Sequence, residues 1–393
     1  MPRILVINGG SSSIRFAVFE AGQPSKSVLN GKVERIRASD AELTLDQPAI
    51  RTKLDIGKNS TAVDSLLDWL ESRLPVADLG AVGHRVVHGM LRTAPARVTE
   101  ELLQELKRII PFDPEHLPRE IELIDAVRRR YPKVPQVVCF DTAFHRSMPL
   151  VATQLPIPRR YGMKGIQRYG FHGLSYTFLM QELARLGDPA AARGRVILAH
   201  LGSGASLAAV KDGQSIDTSM GFTPAAGLVM GTRSGDLDPG LMSYLASAEA
   251  MTPAKFQSLV NHESGLLGIS GTSSDVRDLL ARESNDAHAA EALELFCYQA
   301  KKWIGSFCAA LGGLDTLVFA GGIGENAAPV RRRICEGLRF LGIDIDAAAN
   351  DRHAPLISSD TGAVSVRVIR TDEESVIATL ASSVLGLESK GER

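Results

Sequence analysis

The chain has 393 residues, too many for a single hydrophobic core, so two domains are expected. Hydrophobic residues make up 44% and charged residues 23%, with a formal net charge of -1. That balance suits a soluble globular protein and argues against a nucleic-acid or membrane-surface partner. The cysteines Cys139, Cys297, Cys308 and Cys335 show no Cys-x-x-Cys spacing and no histidine at zinc-ligand spacing, which predicts reduced, mostly buried thiols. No basic and apolar leader opens the sequence, and no apolar run reaches the roughly 18 residues that span a bilayer. A cytoplasmic location is therefore expected.

In chain order, "RILVI" and "FAVF" read as strands, and "NGGSSSIR" joins them. Two glycines explain a tight turn. A further three serines, with Asn8 before and Arg15 after, offer hydroxyls and bare N–H groups of the kind that hold phosphate. An ordinary serine-rich hairpin is the alternative. Short alternating strands follow. A helix is predicted to begin near Thr61 with Asp64 as capping-box partner. "LGAVGHRVVHG" reads as a buried strand, followed by two amphipathic helices, "TEELLQELKRII" and "REIELIDAVRRRY", and a buried strand ending on Asp141. On a strand, His84 and His88 stand about 13 Å apart, too far to share a metal. Arg85 and Val87 then face the other way, a charge for a small anion and an apolar contact for its tail. Asp141 is also readable as a simple cap, and His172, in "RYGFHG" just before a helix, as structural.

At the midpoint the opening pattern returns. "ILAHLGSGASLAAVKDG" from Ile197 aligns with the segment from Ile4 at a constant offset of 193, with Gly9 on Gly202, Ser13 on Ser206 and Ile14 on Leu207. Two α/β halves that open on the same hairpin predict a duplicated domain with a cleft between the copies. Further on, "GTRSGDLDPG" sets Arg233 among small residues, with Asp236 or Asp238 capping a helix that begins near Pro239. An Arg233–Asp236 pair is the structural alternative. "TPAKFQSLVNHES" reads as one helix and residues 286–311 as a long one. "VFAGGIGEN" is a third glycine turn after a strand, with Asn326 predicted to cap the next helix. The absence of a Walker A motif and of a strict G-x-G-x-x-G excludes P-loop enzymes and standard Rossmann dehydrogenases. Asp372, Glu373 and Glu374 stand at the start of the last helix, where acidic residues suit the helix terminus and one carboxylate can hold Mg²⁺.

These blocks, with "FDTAFH", "DTSMGFTP" and "TDEE", occur in the order found in acetate kinases, and from residue 4 to about residue 380 the sequence resembles the acetate/propionate kinase family. The resemblance implies an α/β fold of two duplicated RNase H-like (actin-like ATPase) domains around a nucleotide cleft. The domains would span residues 1–150 and 151–393, with the last helix, about 372–386, able to pack back on the first. It implies reversible, direct in-line transfer of phosphoryl from ATP to acetate, giving acetyl phosphate. Propionate or another short-chain acid is the alternative, and an actin-like ATP-binding switch a further one. Mg²⁺, or Mn²⁺ in its place, and ATP/ADP are implied, as is a homodimer.

By the same resemblance Arg85, Asp141, His172 and Arg233 would be catalytic. Val87, Phe112, Phe171 and Pro224 would shape a small acyl pocket beside Arg85. Ser11, Ser13, Arg15, His200, Leu201, Gly202, Ser203 and Gly204 would face the ATP phosphates. Asp275, Val276 and Arg277, with Gly322, Ile323, Gly324, Glu325 and Asn326, would hold the nucleoside. Asn8 and Glu373 would bind the metal. The sequence departs from the family at Arg15, where Lys is usual, and at Ser203, where Asn is usual. "HGM" replaces "HGG", and "PFDPEHLP" replaces "PLHNP", placing Phe112 and Asp113 near the acyl pocket.

Overall fold

The computed structural model describes residues 2–10, 13–36, 41–46, 49–54 and 61–387. The chain forms two compact units. The first takes in the sequence up to Ala143 and resumes at Asp372; the second is Phe144–Thr371.

In the first unit, β1 (Arg3–Gly9), β2 (Ser13–Glu20), β3 (Gln23–Glu34), β4 (Glu42–Leu45), β5 (Ile50–Lys53), β6 (Leu79–Val86), β7 (Ala96–Arg97) and β8 (Gln136–Phe140) make one sheet in the order β5-β4-β3-β2-β1-β6-β8-β7. In the second, β9 (Arg195–Leu201), β10 (Ala205–Lys211), β11 (Gln214–Thr218), β12 (Thr316–Ala320) and β13 (Ser365–Val368) take the order β11-β10-β9-β12-β13. The same path is traced twice. Each unit lays down an antiparallel three-strand meander whose first strand then gains a parallel neighbour, and that neighbour gains another. Parallel strands of this kind are covered on both faces and read as unbroken apolar runs. β8 and β12 are buried along their whole lengths.

The repeat does not keep a constant offset through its turns. Gly9 pairs with Ile14, whereas Leu201 pairs with Ala205, so the second turn is one residue shorter. The glycine and serine matches align the motifs, and the turn length shifts the strands after them.

Helices cover the sheets where their apolar stripes demand it. Thr61 accepts from the Asp64 N–H, and Asp64 accepts in return, closing the predicted capping box of helix Ala62–Glu71. Leu66, Leu67 and Leu70 of that helix pack with Ile14, Phe16, Val33 and Leu43 of the sheet. Helices Glu100–Arg108 and Leu117–Arg130 bury Leu103, Leu106, Ile121 and Ile124 against Val86, Val138 and Phe140. In the second unit, helix Gly173–Arg185 packs Tyr176, Leu179 and Leu183 on Val196, Leu198 and Val318. The long helix is Ala287–Leu311, capped by Asp286. All four cysteines are free and buried. Among the described residues no helix is long and apolar enough to cross a membrane.

The last helix, Glu373–Leu385, belongs to the first unit and packs on β1, β2, β3, β6 and β8. Its approach to β6 is close. A Cβ added to Gly83 would lie 2.6 Å from Cγ2 of Ile377, itself fully buried. Gly83→Ala is therefore expected to lower stability by about 1–3 kcal/mol through overpacking. Ile377→Ala alone is expected to cost about 2–5 kcal/mol as a cavity. The double variant should be clearly more stable than the sum of the two losses, since the cavity accepts the methyl group. Urea unfolding of the three variants measures this, and strict additivity would show that the contact is not the constraint.

Candidate active site

Parallel strands end together, and their carboxyl ends gather side chains from distant parts of the sequence. At this end of the first unit stand Asn8 on β1, Arg85 on β6 and Asp141, one residue past β8. Arg85 donates from Nε (3.0 Å) and Nη2 (2.5 Å) to Oδ2 of Asp141. The side chains are 15% and 1% exposed, respectively. Nη1 of Arg85 lies 3.5 Å from the carbonyl oxygen of Gly9. Asn8 donates to Oε2 of Glu373 (2.9 Å) and Oε1 of Glu374 (3.0 Å) in the first turn of the C-terminal helix. Asp372 caps that helix, accepting from the Ser375 N–H. Arg15 stands directly opposite Asn8 on β2 and is exposed. Ser13 opens β2, and its carbonyl accepts from the Gly10 N–H at 2.8 Å. Ser11 lies outside the described residues.

Burial raises the Asp141 carboxyl above its ordinary range; Arg85 opposes the shift and Glu373 adds to it. Burial also works against the charge on Arg85, but Asp141 and Glu373 outweigh it and hold the guanidinium above its usual value. Glu374 is raised by burial and by Glu373. Helix Leu117–Arg130 contributes a further carboxylate, Glu120, 3% exposed, whose two oxygens both accept from the Val87 N–H at 3.1 and 3.0 Å. Glu120 was not singled out from the sequence because it sits inside an amphipathic helix where a glutamate reads as solvent-facing. Only the tertiary fold turns it inward.

The residues suit a divalent cation by one observation. Oδ1 of Asp141 is buried and has no hydrogen-bond partner among the described residues, while Asn8, Glu373 and Glu374 supply further oxygens on the same unit. No cluster of three or more His, Cys, Asp or Glu is preassembled around a metal position among the described residues. Cation binding would therefore draw on the amide oxygen of Asn8 as well as on carboxylates.

The two histidines of "GHRVVHG" have separate partners. His84 Nε2 donates to Gln136 Oε1 at 2.8 Å, and burial pushes its imidazole down to about 4. β6 ends at Val86, so His88 lies past the strand and accepts from the Met90 N–H at 3.0 Å. Val87 is buried, and Phe112 is half-buried with its ring 6.1 Å from that of His88.

The second unit gathers another set. His172 caps helix Gly173–Arg185 in the left-handed region, at φ 59°. A non-glycine residue held there is strained and needs support from its surroundings. Its Nδ1 meets Ser206 Oγ at 2.8 Å, and Ser206 meets the Tyr176 hydroxyl at 2.5 Å. The ring stacks on His200 with centroids 4.3 Å apart. His200 Nδ1 meets Ser175 Oγ, which meets Thr371 Oγ1, each at 2.8 Å. Just before His172, the buried Phe171 accepts on its carbonyl from His145 Nε2 at 3.1 Å. Burial holds the His145 imidazole near 4, so its other nitrogen accepts from the Ser215 hydroxyl.

Arg233 reaches the same place. A Cβ on Gly204 would lie 3.4 Å both from Arg233 Nη1 and from His172 Nε2, so a glycine keeps that position open. Arg233 Nη1 also donates to the carbonyl of Pro224, a buried residue, at 3.3 Å. The loop is tied down by its backbone. Gly231 donates to Ser203 O, Ser234 to Val260 O, and the Thr232 hydroxyl to Asn261 O. The last two of these bonds take carbonyls from the segment predicted as one helix, which is instead helix Pro253–Ser258 followed by a wide π-turn at Leu259–Glu263. Asp236 accepts from the Gly227 N–H, closing the loop base, and Asp238 accepts from Gly240 at the start of helix Gly240–Glu249.

Leu201, at the end of β9, crowds Gly321, where a Cβ would fall 2.7 Å from the Leu201 carbonyl oxygen at φ +75°. Gly321–Asn326 forms a short helix after β12, containing Gly322, Ile323, Gly324 and Glu325. Asn326 does not cap the next helix. Its amide donates to Gly322 O, and Ala327 stands at the cap position. The buried Arg331 fixes this segment by donating to the carbonyls of Gly324 and Glu325 and to Asn350. A Cβ on Gly202 would lie 3.9 Å from the Gly322 nitrogen, so the hairpin and this segment are neighbours. Asp275 caps helix Val276–Arg282 and pairs at 2.6 Å with the exposed Arg277.

Two units that repeat one sheet path, each with polar side chains gathered at strand ends, define a duplicated phosphotransferase fold of the actin-like ATPase class. The chain belongs to the acetokinase family, which matches residues 3–379. An acetate kinase of Rhodopseudomonas palustris is 44% identical over 390 residues, covering 95% of this chain and 96% of the relative. A propionate kinase of Citrobacter rodentium is also 44% identical, over 385 residues, covering 96% and 95%. A solved propionate kinase from Francisella tularensis superposes with a TM-score of 0.91 at 36% identity, covering 98% of this chain and 100% of that one. Porphyromonas gingivalis acetate kinase gives 0.88 at 34%, with the same coverage.

Glu120 provides a test by pH. Burial raises its folded-state carboxyl well above the ordinary 4.5. The folded chain therefore holds its proton over a range where the unfolded chain has lost it. The stability this gives is complete below about 4.5 and falls as pH rises through the folded value. Glu120→Gln removes that slope. The variant should gain stability relative to the parent between pH 5 and pH 8, measured by urea unfolding at both. A difference independent of pH would mean that Glu120 is ionised in the folded unit throughout.

Proposed function

We propose that the protein transfers the terminal phosphoryl group of ATP to acetate, reversibly, by direct in-line attack of the carboxylate. The observation that carries this reading is the buried Arg85–Asp141 pair at the strand ends, one carboxylate oxygen of which has no hydrogen-bond partner among the described residues. Joining a carboxylate to a phosphoryl group brings two anions together, so the chemistry needs cationic groups held in place more than it needs a base. The acceptor is already ionised at neutral pH. Asp141 is accordingly an orienting group. It holds two donors of Arg85, and the substrate carboxylate would take the others. Arg233 and His172 would contact the equatorial oxygens of the transferring group, and the Gly202–Gly204 turn its neighbours. Mg²⁺ would be held by Asn8 and Glu373 beside Asp141, and would offset phosphate charge when bound. Asp275–Arg277 and Gly322–Asn326 would face the nucleoside, and Ser11, Ser13 and Arg15 the phosphates. A cytoplasmic homodimer is the family's implication for the assembly.

Val87, Phe112, Phe171 and Pro224 would enclose the methyl group. Phe112 would narrow such a pocket, so acetate should be preferred to butyrate by about tenfold or more in kcat/KM. Propionate is the second reading, favoured by the equal identity to a curated propionate kinase. The hydroxamate assay for acyl phosphate with ATP, Mg²⁺ and each acid decides. Equal kcat/KM for acetate and butyrate would remove Phe112 from the pocket, and no acyl phosphate from any of the three acids would overturn the function.

Arg233 is tested separately. A planar five-donor guanidinium suits the oxygens of a transferring phosphoryl group. Arg233→Ala should lose at least about 10³ in kcat with little change in melting temperature, and Arg233→Lys should recover only part. A loss below tenfold, or lost stability with normal turnover, would assign the residue to holding the loop.

A further inference from the structure

His145, the second residue of the second unit, is 2% exposed and has no part in the reaction above. Both of its ring nitrogens are engaged. Nε2 donates to the carbonyl of Phe171 at 3.1 Å, and Nδ1 lies 2.9 Å from the Ser215 hydroxyl. A carbonyl can only accept, so in the neutral ring Nε2 carries the hydrogen and Nδ1 takes that of the hydroxyl. Ser215 is buried on β11, and the Ser147 hydroxyl donates to its carbonyl at 2.9 Å. The imidazole is therefore fixed from behind and points one donor at one peptide group.

That peptide group lies where the backbone most needs support. Gly170 and His172 both stand in the left-handed region, at φ 73° and 59°, so Phe171 sits between two reversals of the chain. Glycine adopts that region freely, whereas histidine is strained there. The chain passes close over the imidazole, since a Cβ on Gly170 would lie 2.6 Å from Cδ2 of His145. The ring also meets Tyr176 edge to face, with centroids 5.7 Å apart. The Tyr176 hydroxyl bonds Ser206, which bonds Nδ1 of His172. One imidazole thus touches two supports of His172: the carbonyl before it, and the ring that anchors its side chain through Ser206.

We propose that His145 is a positioning residue for phosphoryl transfer, setting His172 beside Arg233. The proposal rests on the functional reading above, in which His172 contacts the transferring group. His145 touches no substrate and acts through His172. A misplacement of about 1 Å at a reacting group can cost about 10² in rate.

The test is a double-variant cycle on the full chain, using His145→Leu, His145→Gln, His172→Ala and the pair His145→Leu/His172→Ala. Leucine fills the place of the ring but donates nothing, whereas the glutamine amide can donate to the Phe171 carbonyl. ATP and acetate are both saturating, so a shift of the Phe171 ring in the acyl pocket falls on KM for acetate. His145→Leu should lose about 10- to 100-fold in kcat, with KM for ATP unchanged within about twofold, and His145→Gln should recover part. In the His172→Ala background His145→Leu should cost less than about twofold more, because the group it acts through is gone. A second readout needs no turnover. The ring-nitrogen NMR signals of His172, assigned by their loss in His172→Ala, should move in His145→Leu and return towards the parent in His145→Gln. If His145→Leu does not fold, Ser215→Ala, which releases Nδ1 and leaves the ring in place, replaces it in the cycle. Equal kcat losses in both backgrounds, or a lower melting temperature with kcat and ring signals unchanged, would make His145 a core residue only and overturn the proposal. A parent chain that makes no acyl phosphate, with the His172 signals still moved by His145→Leu, would overturn the functional reading and leave the positioning of His172 standing.

Discussion

The first unit is organised around a charge pair that water barely reaches. Removing one member of a buried pair leaves the other uncompensated, which is far more costly than the pair is stabilising. Arg85 lies on β6 and Asp141 directly follows its parallel neighbour β8, whose register sets Arg85 against Cys139. Their separation is thus fixed by the sheet and not by flexible loops. Everything around them complies with that constraint. Glu373 and Glu374 arrive on the last helix of the chain, Asn8 on the first strand, and Glu120 on a helix between. Carboxyl groups outnumber the cationic ones there, an arrangement that burial disfavours and that a bound cation would relieve.

The second unit is organised around a strained residue and a loop-borne guanidinium. His172 is held in a strained backbone region by the Ser206 bond, by stacking on His200 and by the His145 bond to the preceding carbonyl. Arg233 is carried on a loop whose backbone is bonded into Ser203, Val260 and Asn261. Strain of this kind persists only where the surroundings over-determine it. Here they do so through hydroxyls, a ring stack and a carbonyl.

Much of this was legible in the sequence because it rests on local patterns. The buried parallel strands announced themselves as apolar runs, the Thr61–Asp64 box as a capping signature, and the duplication as a recurring glycine and serine hairpin. The parts that were not legible depend on distance in space. No spacing rule shows that Glu120 turns inward, that Arg331 donates to Gly324 and Glu325, or that His145 supports Phe171. The Asn326 side chain can satisfy a helix start or a carbonyl four residues back, and the short helix Gly321–Asn326 decides for the latter. The segment "TPAKFQSLVNHES" has a helical pattern throughout, but the Arg233 loop draws on its carbonyls and opens it into a π-turn.

The placement of the last helix has a consequence for how the protein is made. Residues 3–140 supply every strand of the first sheet, yet the helix that covers β1 and β6 begins only after Asp372. A ribosome adds roughly 5–20 residues per second. For the many seconds needed to synthesise Phe144–Thr371, one face of the first sheet therefore waits without its cover. Val6 and Gly83, interior in the finished protein, line that face. The second unit is completed first as an insertion within an unfinished neighbour, and helix Glu373–Leu385 then closes the first. The nascent chain thus passes through a stage in which an apolar parallel sheet is open to other proteins, and its safe passage depends on chaperones or on speed.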